Sequence, residues 1–380
     1  MITQVRFQNF KALKNAEVKL GAFNVIVGPN GSGKSSVLQG LEALAEPHRI
    51  DYQKAATLGA AQNEISITIT EFEGGDSIEQ GGITFYSDTR RIYVAGKAND
   101  KVLMPESAFQ DMEQRKISGL NYQQARDAAV RQYEHLAING NQVNPSTAPN
   151  PNSRFKPVFE RFKIFSLESS SLGQSVDARN VTTLNRDGKN LAGALTHLRD
   201  KDEDAYNNLR AEFQRWIPEY DSVGFDNDQN GYRQITFRQK ATRKHIHASQ
   251  ASEGTLLALA LLTIVHQPTT PLIVGLEEPD RGLHPRLLRE LRDALYRLSF
   301  PTDFGIKRAP VQVVVTTHSP FFLDLFKDHP EQVIIAEKKS DGTATFKNLS
   351  DDKELRELIG DAPLGEVWYS GVLGGVPVAA

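Results

Sequence analysis

Cysteine is absent from the 380 residues, so neither a disulfide nor a thiolate metal site is open to this chain. Long apolar runs are absent too. No stretch approaches the ~20 residues that span a bilayer, and Met1-Ile2-Thr3-Gln4 leads into a strand-like pattern where a signal peptide would carry a charged and then an apolar region. The lack of a spanning run and of a signal-peptide pattern predicts a cytoplasmic protein without membrane contact. An excess of positive charge is also missing: 44 Lys and Arg stand against 47 Asp and Glu, leaving a net charge of −3. Contact with nucleic acid would therefore need a local basic patch. What remains, 39% hydrophobic and 24% charged residues, is the composition of a globular protein long enough for two lobes. It shows neither a fixed-period repeat nor a sustained heptad.

Along the chain, Val5-Arg6-Phe7 alternates like a strand, and Phe23-Asn24-Val25-Ile26-Val27 is an apolar run of the kind a buried parallel strand shows. A Gly-rich turn follows. From Lys34 to Ala45 the apolar residues recur at helical spacing until Pro47. Ile65, Ile67 and Ile69 alternate with polar residues, and Ile83 to Val94 continues strand-like, which predicts an antiparallel meander. Residues 106–136 read as helical. The five Asn and three Pro of residues 139–153 read as a mobile loop with little to bury. After a returning strand at Phe162–Leu167, residues 187–217 look helical and 221–247 look like short strands and turns. The last third alternates helix and strand (252–266, 272–276, 285–299, 311–316, 320–327, 332–336), the pattern of a parallel sheet.

Three motifs carry chemistry. Gly28-Pro29-Asn30-Gly31-Ser32-Gly33-Lys34-Ser35 matches the phosphate-binding GxxxxGK[ST] loop in full, between the apolar strand and the amphipathic helix that the motif requires. Its glycines turn backbone amides toward phosphate, Lys34 reaches the β and γ phosphates, and the Ser35 hydroxyl ligates Mg²⁺. Asn30, Gly31, Ser32, Gly33, Lys34, Ser35 and Ser36 are the nucleotide-binding candidates here. Secondly, the apolar strand Leu272–Leu276 runs into Glu277-Glu278-Pro279-Asp280. Neighbouring strand residues point to opposite faces, so Glu277 is expected on Mg²⁺ and Glu278 on the attacking water. Thirdly, Val313-Val314-Val315-Thr316-Thr317-His318 places a histidine at another strand end, where it can donate to a γ-phosphate.

These motifs resemble the ABC-type ATPases that include SMC and RecF-like proteins and, within them, the OLD-like branch. The segments ITQVRFQNFKALKNAEVKLGAFNVIVGPNGSGKSSVLQGL, DGKNLAGALTHLRD, LEEPDRGLHP and VVVTTHSPFFLD look like that branch's first strands and Walker A, a helical segment, Walker B with D-loop, and histidine switch. The resemblance implies an α/β fold: an ABC-type P-loop NTPase with a mixed-sheet core, an antiparallel β subdomain and an inserted helical lobe. The corresponding divisions are 1–97, 98–161, 162–345 and a C-terminal helix and apolar tail over 346–380. It also places Ser252 and Gly254 in the signature motif, which in that family caps the γ-phosphate held by a second subunit, and Asp280 in a D-loop. An ATP-sandwich homodimer, with higher assemblies open, follows from it. At the family's Q-loop position this chain has Glu168-Ser169-Ser170-Ser171, with Gln174 the nearest glutamine. The insert 98–161 is far shorter than an SMC coiled-coil arm, so long-range DNA tethering is not expected.

The sequence thus predicts an ATPase using ATP and Mg²⁺, with Glu278, His318 and Lys34 catalytic. The resemblance implies regulation of a separately encoded effector, a TOPRIM-like nuclease or a toxin, in prokaryotic defence. The rival is a RecF-like clamp closing on DNA. Its best support is Arg238–His247, with four Lys and Arg in ten residues that could contact phosphates, although such a run is more often a solvated hairpin tip. The tail Val367–Val376 either docks a partner or packs on its own domain.

Overall fold

The computed structural model describes residues 1–46, 52–57, 64–72, 80–86, 89–95, 101–105, 137–138, 141–142 and 161–373. The chain divides into two compact units, the first formed by residues 1–21, 28–162 and 334–352, the second by 22–27, 163–333 and 353–380.

The first unit is built on an eight-stranded sheet. Strands β1 (Ile2–Phe10) and β2 (Leu13–Lys19) form a hairpin, followed by β4 (Glu64–Phe72), β5 (Gln80–Tyr86), β6 (Thr89–Ala95), β7 (Lys101–Pro105), β8 (Ala137–Ile138) and β9 (Asn141–Gln142). The order is β2-β1-β4-β5-β6-β7-β8-β9, and each neighbouring pair runs antiparallel. The expected meander is therefore present. Along β1 the alternation buries Val5 and Phe7 and exposes Arg6. Phe7 lies against Gly40 of helix α1 (Lys34–Ala45), where a Cβ would come within 2.3 Å of its ring, and the short helix α2 (Tyr52–Ala55) follows. A larger residue at 40 would lift the helix that carries Lys34 off the sheet. Strands β16 (Val333–Lys338) and β17 (Ala344–Asn348) form a hairpin. The Ala344 N–H donates to Ala12 O in the turn between β1 and β2. Residues 106–136, read as helical, and nearly all of 139–153 lie outside the described residues.

In the second unit β10 (Phe162–Phe165), β14 (Ile273–Glu277), β15 (Gln312–Thr317) and β3 (Phe23–Val27) lie in that order. Strands β14 and β15, and β15 and β3, are parallel. Every residue of β3 and β15 is buried, as in a parallel strand covered on both faces. The one amide in β3, Asn24, is satisfied by donating to Val313 O at 3.0 Å. Helix α6 (Glu253–His266) is buried without interruption from Thr255 to Val265, so it forms a core helix apolar all round. Helix α7 (Leu288–Ser299) instead buries one stripe of Leu288, Leu291, Leu295 and Leu298. Helices α3 (Ser169–Leu172), α4 (Leu191–Lys201) and α5 (Glu203–Trp216) complete this layer. A three-stranded antiparallel sheet, β11 (Tyr220–Asn227), β12 (Arg233–Gln239) and β13 (His245–His247), packs on α5 with Phe237 stacked 5.6 Å from Phe213.

One buried polar cluster ties α5, α6 and α7 together. Glu212, 5% exposed, takes Arg297 Nη2 at 2.5 Å on one oxygen and His266 Nε2 at 2.9 Å on the other. Burial alone would raise this carboxyl, but the bonds from His266 and Arg297 outweigh it and hold the group below the usual range. With its folded value depressed, Glu212 contributes stability that is present above the ordinary carboxylate range. That contribution is lost as pH falls through the folded value. Arg297→Met strands the buried carboxylate with one partner, and we expect a loss of about 3 kcal/mol in urea unfolding at pH 7, shrinking in acid.

Candidate functional site

The phosphate loop follows β3 without a break: Val27 is the last strand residue and Gly28 the next. Within the loop Gly31 and Gly33 take φ of +74° and +90°, the left-handed conformation that turns successive amides to one side. Gly28 allows a close approach, since a Cβ there would stand 2.2 Å from Ala336 O. Asn30 and Gly31 are exposed at the tip, Ser35 is half-buried, and Ser32, Gly33, Lys34 and Ser36 are buried. The Lys34 ammonium folds back on the loop, donating to Gly28 O at 2.8 Å and Pro29 O at 2.9 Å. Ser32 Oγ is buried without a hydrogen-bond partner. An amide-lined turn, an ammonium at its base and an unsatisfied buried hydroxyl fit a phosphate.

The other candidates lie in the second unit, at the carboxyl ends of its parallel strands. Register places Glu277 opposite Thr316, and Thr317 opposite Val27, so β14, β15 and β3 end together. Glu277 closes β14, with Arg186 Nη2 3.9 Å from its Oε2. Glu278 is past the strand with φ +43°, and its N–H donates to Thr316 O and Oγ1 at 3.1 and 3.2 Å. Its direction is thus set by a left-handed turn as well as by strand alternation. That conformation, rare for a residue with a side chain, aims the carboxylate at His318, Oε1 to Nε2 3.4 Å.

Asp280 accepts the Thr317 hydroxyl at 2.9 Å through Oδ2, while its Oδ1 is buried with no partner. Burial pushes this carboxyl up to about 6, against the Thr317 bond and with help from the charge of Glu278. Two residues on, Gly282 (φ +80°) packs on the start of α6: a Cβ on Gly254 would meet Gly282 O at 2.8 Å. Ser252 caps α6, its hydroxyl accepting the Thr255 N–H at 3.2 Å. Residues Glu168, Ser169, Glu253, Glu277, Glu278 and Arg281 line one cleft here. Gln174 faces a neighbouring cleft with Gln234 and Ser249. At the Q-loop position it is Glu168, not Gln174, that shares a cleft with the carboxylate pair.

Sequence reasoning missed Arg186 and Gly282. Arg186 comes from the loop before α4, whose carbonyl at Arg186 pairs with Ser166 N–H beyond β10. No spacing rule links residue 186 to 277. Gly282 lets the turn after Glu278 approach the start of α6. The basic run proved to be the β12–β13 hairpin, and Asp221 on β11 binds both Arg238, Nε to Oδ1 2.6 Å, and Arg243. Two of its four cations therefore share one carboxylate, which offsets one of their two charges.

An apolar strand that runs directly into a GxxxxGK[ST] loop and a helix defines a P-loop nucleotide-binding protein. The head domain of an SMC protein bound to the C-winged helix domain of ScpA superposes with a TM-score of 0.53 at 14% identity, covering 91% of this chain and 96% of that one. The head domain with an extended coiled coil from Pyrococcus furiosus gives 0.50 at 11%, covering 94% and 99%. The fold is that of the SMC head. Residues 23–324 match the family described as "AAA domain, putative AbiEii toxin, Type IV TA system", and the chain belongs to it. Its sequence is similar to the DNA replication and repair protein RecF of Erwinia tasmaniensis (31% over 91 residues, 20% of this chain and 25% of that protein). The RecF of Vibrio cholerae is 36% identical over 66 residues, 17% of this chain and 18% of that protein. The likeness thus spans a quarter or less of each RecF. The protein is an ATP-binding ATPase of the SMC and RecF kind.

Burying a carboxylate at Asp280 costs stability wherever it is ionised in both states. Its folded value is raised, so the cost is absent below about pH 4 and full above the folded value near 6. Asp280→Asn should therefore stabilise the nucleotide-free protein at pH 8, by on the order of 2 kcal/mol. Thermal melts should show that gain vanishing near pH 4.

Proposed function

We propose that the protein is a Mg²⁺-dependent ATPase in which two copies close head to tail on nucleotide, a switch that controls a separately encoded effector in prokaryotic anti-phage defence. The common ending of β14, β15 and β3 carries the ATPase part of this reading, because those strands release the carboxylate pair, the histidine and the phosphate loop. Lys34 and the loop amides hold the β and γ phosphates. Ser35 and Glu277 are the residues that would serve as Mg²⁺ ligands, and the metal would supply charge neutralisation for phosphoryl transfer. Arg186 balances Glu277 before nucleotide arrives. Glu278, aimed by its left-handed turn, orients water in line with the γ-phosphate, and His318 donates to the γ oxygens. Ser252 and Gly254, at the amino end of α6, cap the γ-phosphate of the second copy, and Asp280 in the D-loop contacts it. The effector, a TOPRIM-like nuclease or another toxin, is supported by the toxin–antitoxin description of the family, and association beyond the dimer is compatible with the same contacts.

A second reading, an ATP-dependent DNA clamp, is favoured by the partial RecF likeness. The tie of Arg238 and Arg243 to Asp221 weighs against the hairpin as its phosphate contact.

Lys34→Ala should abolish binding of a fluorescent ATP analogue. Glu278→Gln should keep that binding, lose at least about a hundredfold in turnover, and run as a dimer with ATP in light scattering. Wild-type turnover by Glu278→Gln would remove the water-orienting role. Duplex DNA binding that needs ATP, weakens with salt and disappears in Lys240→Glu/Lys244→Glu would replace the effector reading with the clamp.

A further inference from the structure

His318 is held from both sides along the chain. Thr317 Oγ1 accepts the Ser319 N–H at 2.9 Å, and Ser319 Oγ accepts the Phe322 N–H at 3.2 Å, capping helix α8 (Pro320–Leu323). The backbone is fixed, so the ring's direction is decided by what packs on it. On one side stands Glu278, 3.4 Å away. The indole of Trp368 also packs on it, edge to face with ring centroids 6.4 Å apart.

Trp368 comes from helix α10 (Leu364–Tyr369), past the motifs and past α9 (Lys353–Ile359). That helix is fastened where it meets the histidine segment. The Gly365 N–H donates to Asp324 Oδ1 at 2.6 Å, and a Cβ at 365 would come within 2.5 Å of Pro320 O. Leu364 and Val367 are buried, so this part of the tail packs on its own unit, while Tyr369 is 78% exposed. The indole Nε1 is buried and makes no hydrogen bond. Trp368 therefore contributes the shape and edge of its ring, not its donor.

We propose that Trp368 is a positioning residue for His318: the C-terminal helix holds the imidazole toward Glu278 and so sets whether the γ-phosphate donor is in place. Its consequence for turnover rests on the ATPase reading above; the contact itself does not.

The chain has two tryptophans, so Trp216→Phe leaves Trp368 as the single emitter. In that background His318→Gln should shift Trp368 emission, and Gly365→Ala, which forces α10 away from Pro320, should shift it too. Emission indifferent to His318→Gln overturns the contact whether or not the protein hydrolyses ATP. In turnover, Trp368→Ala should lower kcat about tenfold with KM unchanged, the pattern of a misaligned group. Trp368→Phe should recover most of it. Combined with His318→Gln, Trp368→Ala should add no further loss, because the two act as one unit. Additive losses, or a raised KM with intact kcat, overturn the positioning role. If Trp368→Ala fails to fold, Trp368→Leu takes its place in the cycle. A wild-type protein without turnover removes the ATPase reading, and the emission shift then decides the contact alone.

Discussion

Everything at the candidate site depends on three parallel strands ending at the same level. Register fixes it: Glu277 pairs with Thr316, and Thr317 with Val27. A slip of one residue would send Glu277 to the opposite face and change which residue leaves β14 first. The slip is opposed by burial, since β3 and β15 have no exposed residue and Asn24 locks them together through Val313 O. Helix α6, buried along eleven consecutive residues, gives the sheet a rigid neighbour and presents its amino end beside the D-loop.

Around that level the protein departs from ordinary geometry in several places at once. Glu278 sits at φ +43°, Asp280 is buried with one oxygen unsatisfied, and Gly254 and Gly282 touch backbone to backbone. The first two cost free energy, and each is held by a neighbour: Thr316 for Glu278, Thr317 for Asp280. Strained and desolvated groups gathered at one strand end, and supported from a rigid sheet, are the usual mark of a working site. Thr317 has a second task in also accepting the Ser319 N–H, so the D-loop and the histidine segment share one hydroxyl. With Trp368 packed on His318, the Asp280 turn, the histidine and the C-terminal helix form one contiguous set.

Local pattern made much of this legible. The phosphate loop announced itself through its spacing, the carboxylate pair and His318 through the apolar strands that precede them, and the meander through Ile65, Ile67 and Ile69. Pairings across long stretches of chain were not legible. Arg186 with Glu277, Glu212 with His266 and Arg297, and Trp368 with His318 join residues whose spacing carries no period, and only the packed structure brings them together. Alternation suggested why Glu277 and Glu278 diverge, but the left-handed turn is a backbone choice that two adjacent glutamates do not signal. For the basic run, the deciding residue was Asp221, on a different strand.

In the proposed head-to-tail dimer each active site is completed by a second copy, Lys34 from one chain and Ser252 from the other. Lys34→Ala and Ser252→Arg should each be inactive alone, because each spoils both sites of its own homodimer. Mixed in equal amounts they form heterodimers with one intact loop facing one intact signature, so ATP turnover should return to roughly a quarter of wild type, given random pairing and independent sites. A mixture as inactive as its components would contradict the head-to-tail site.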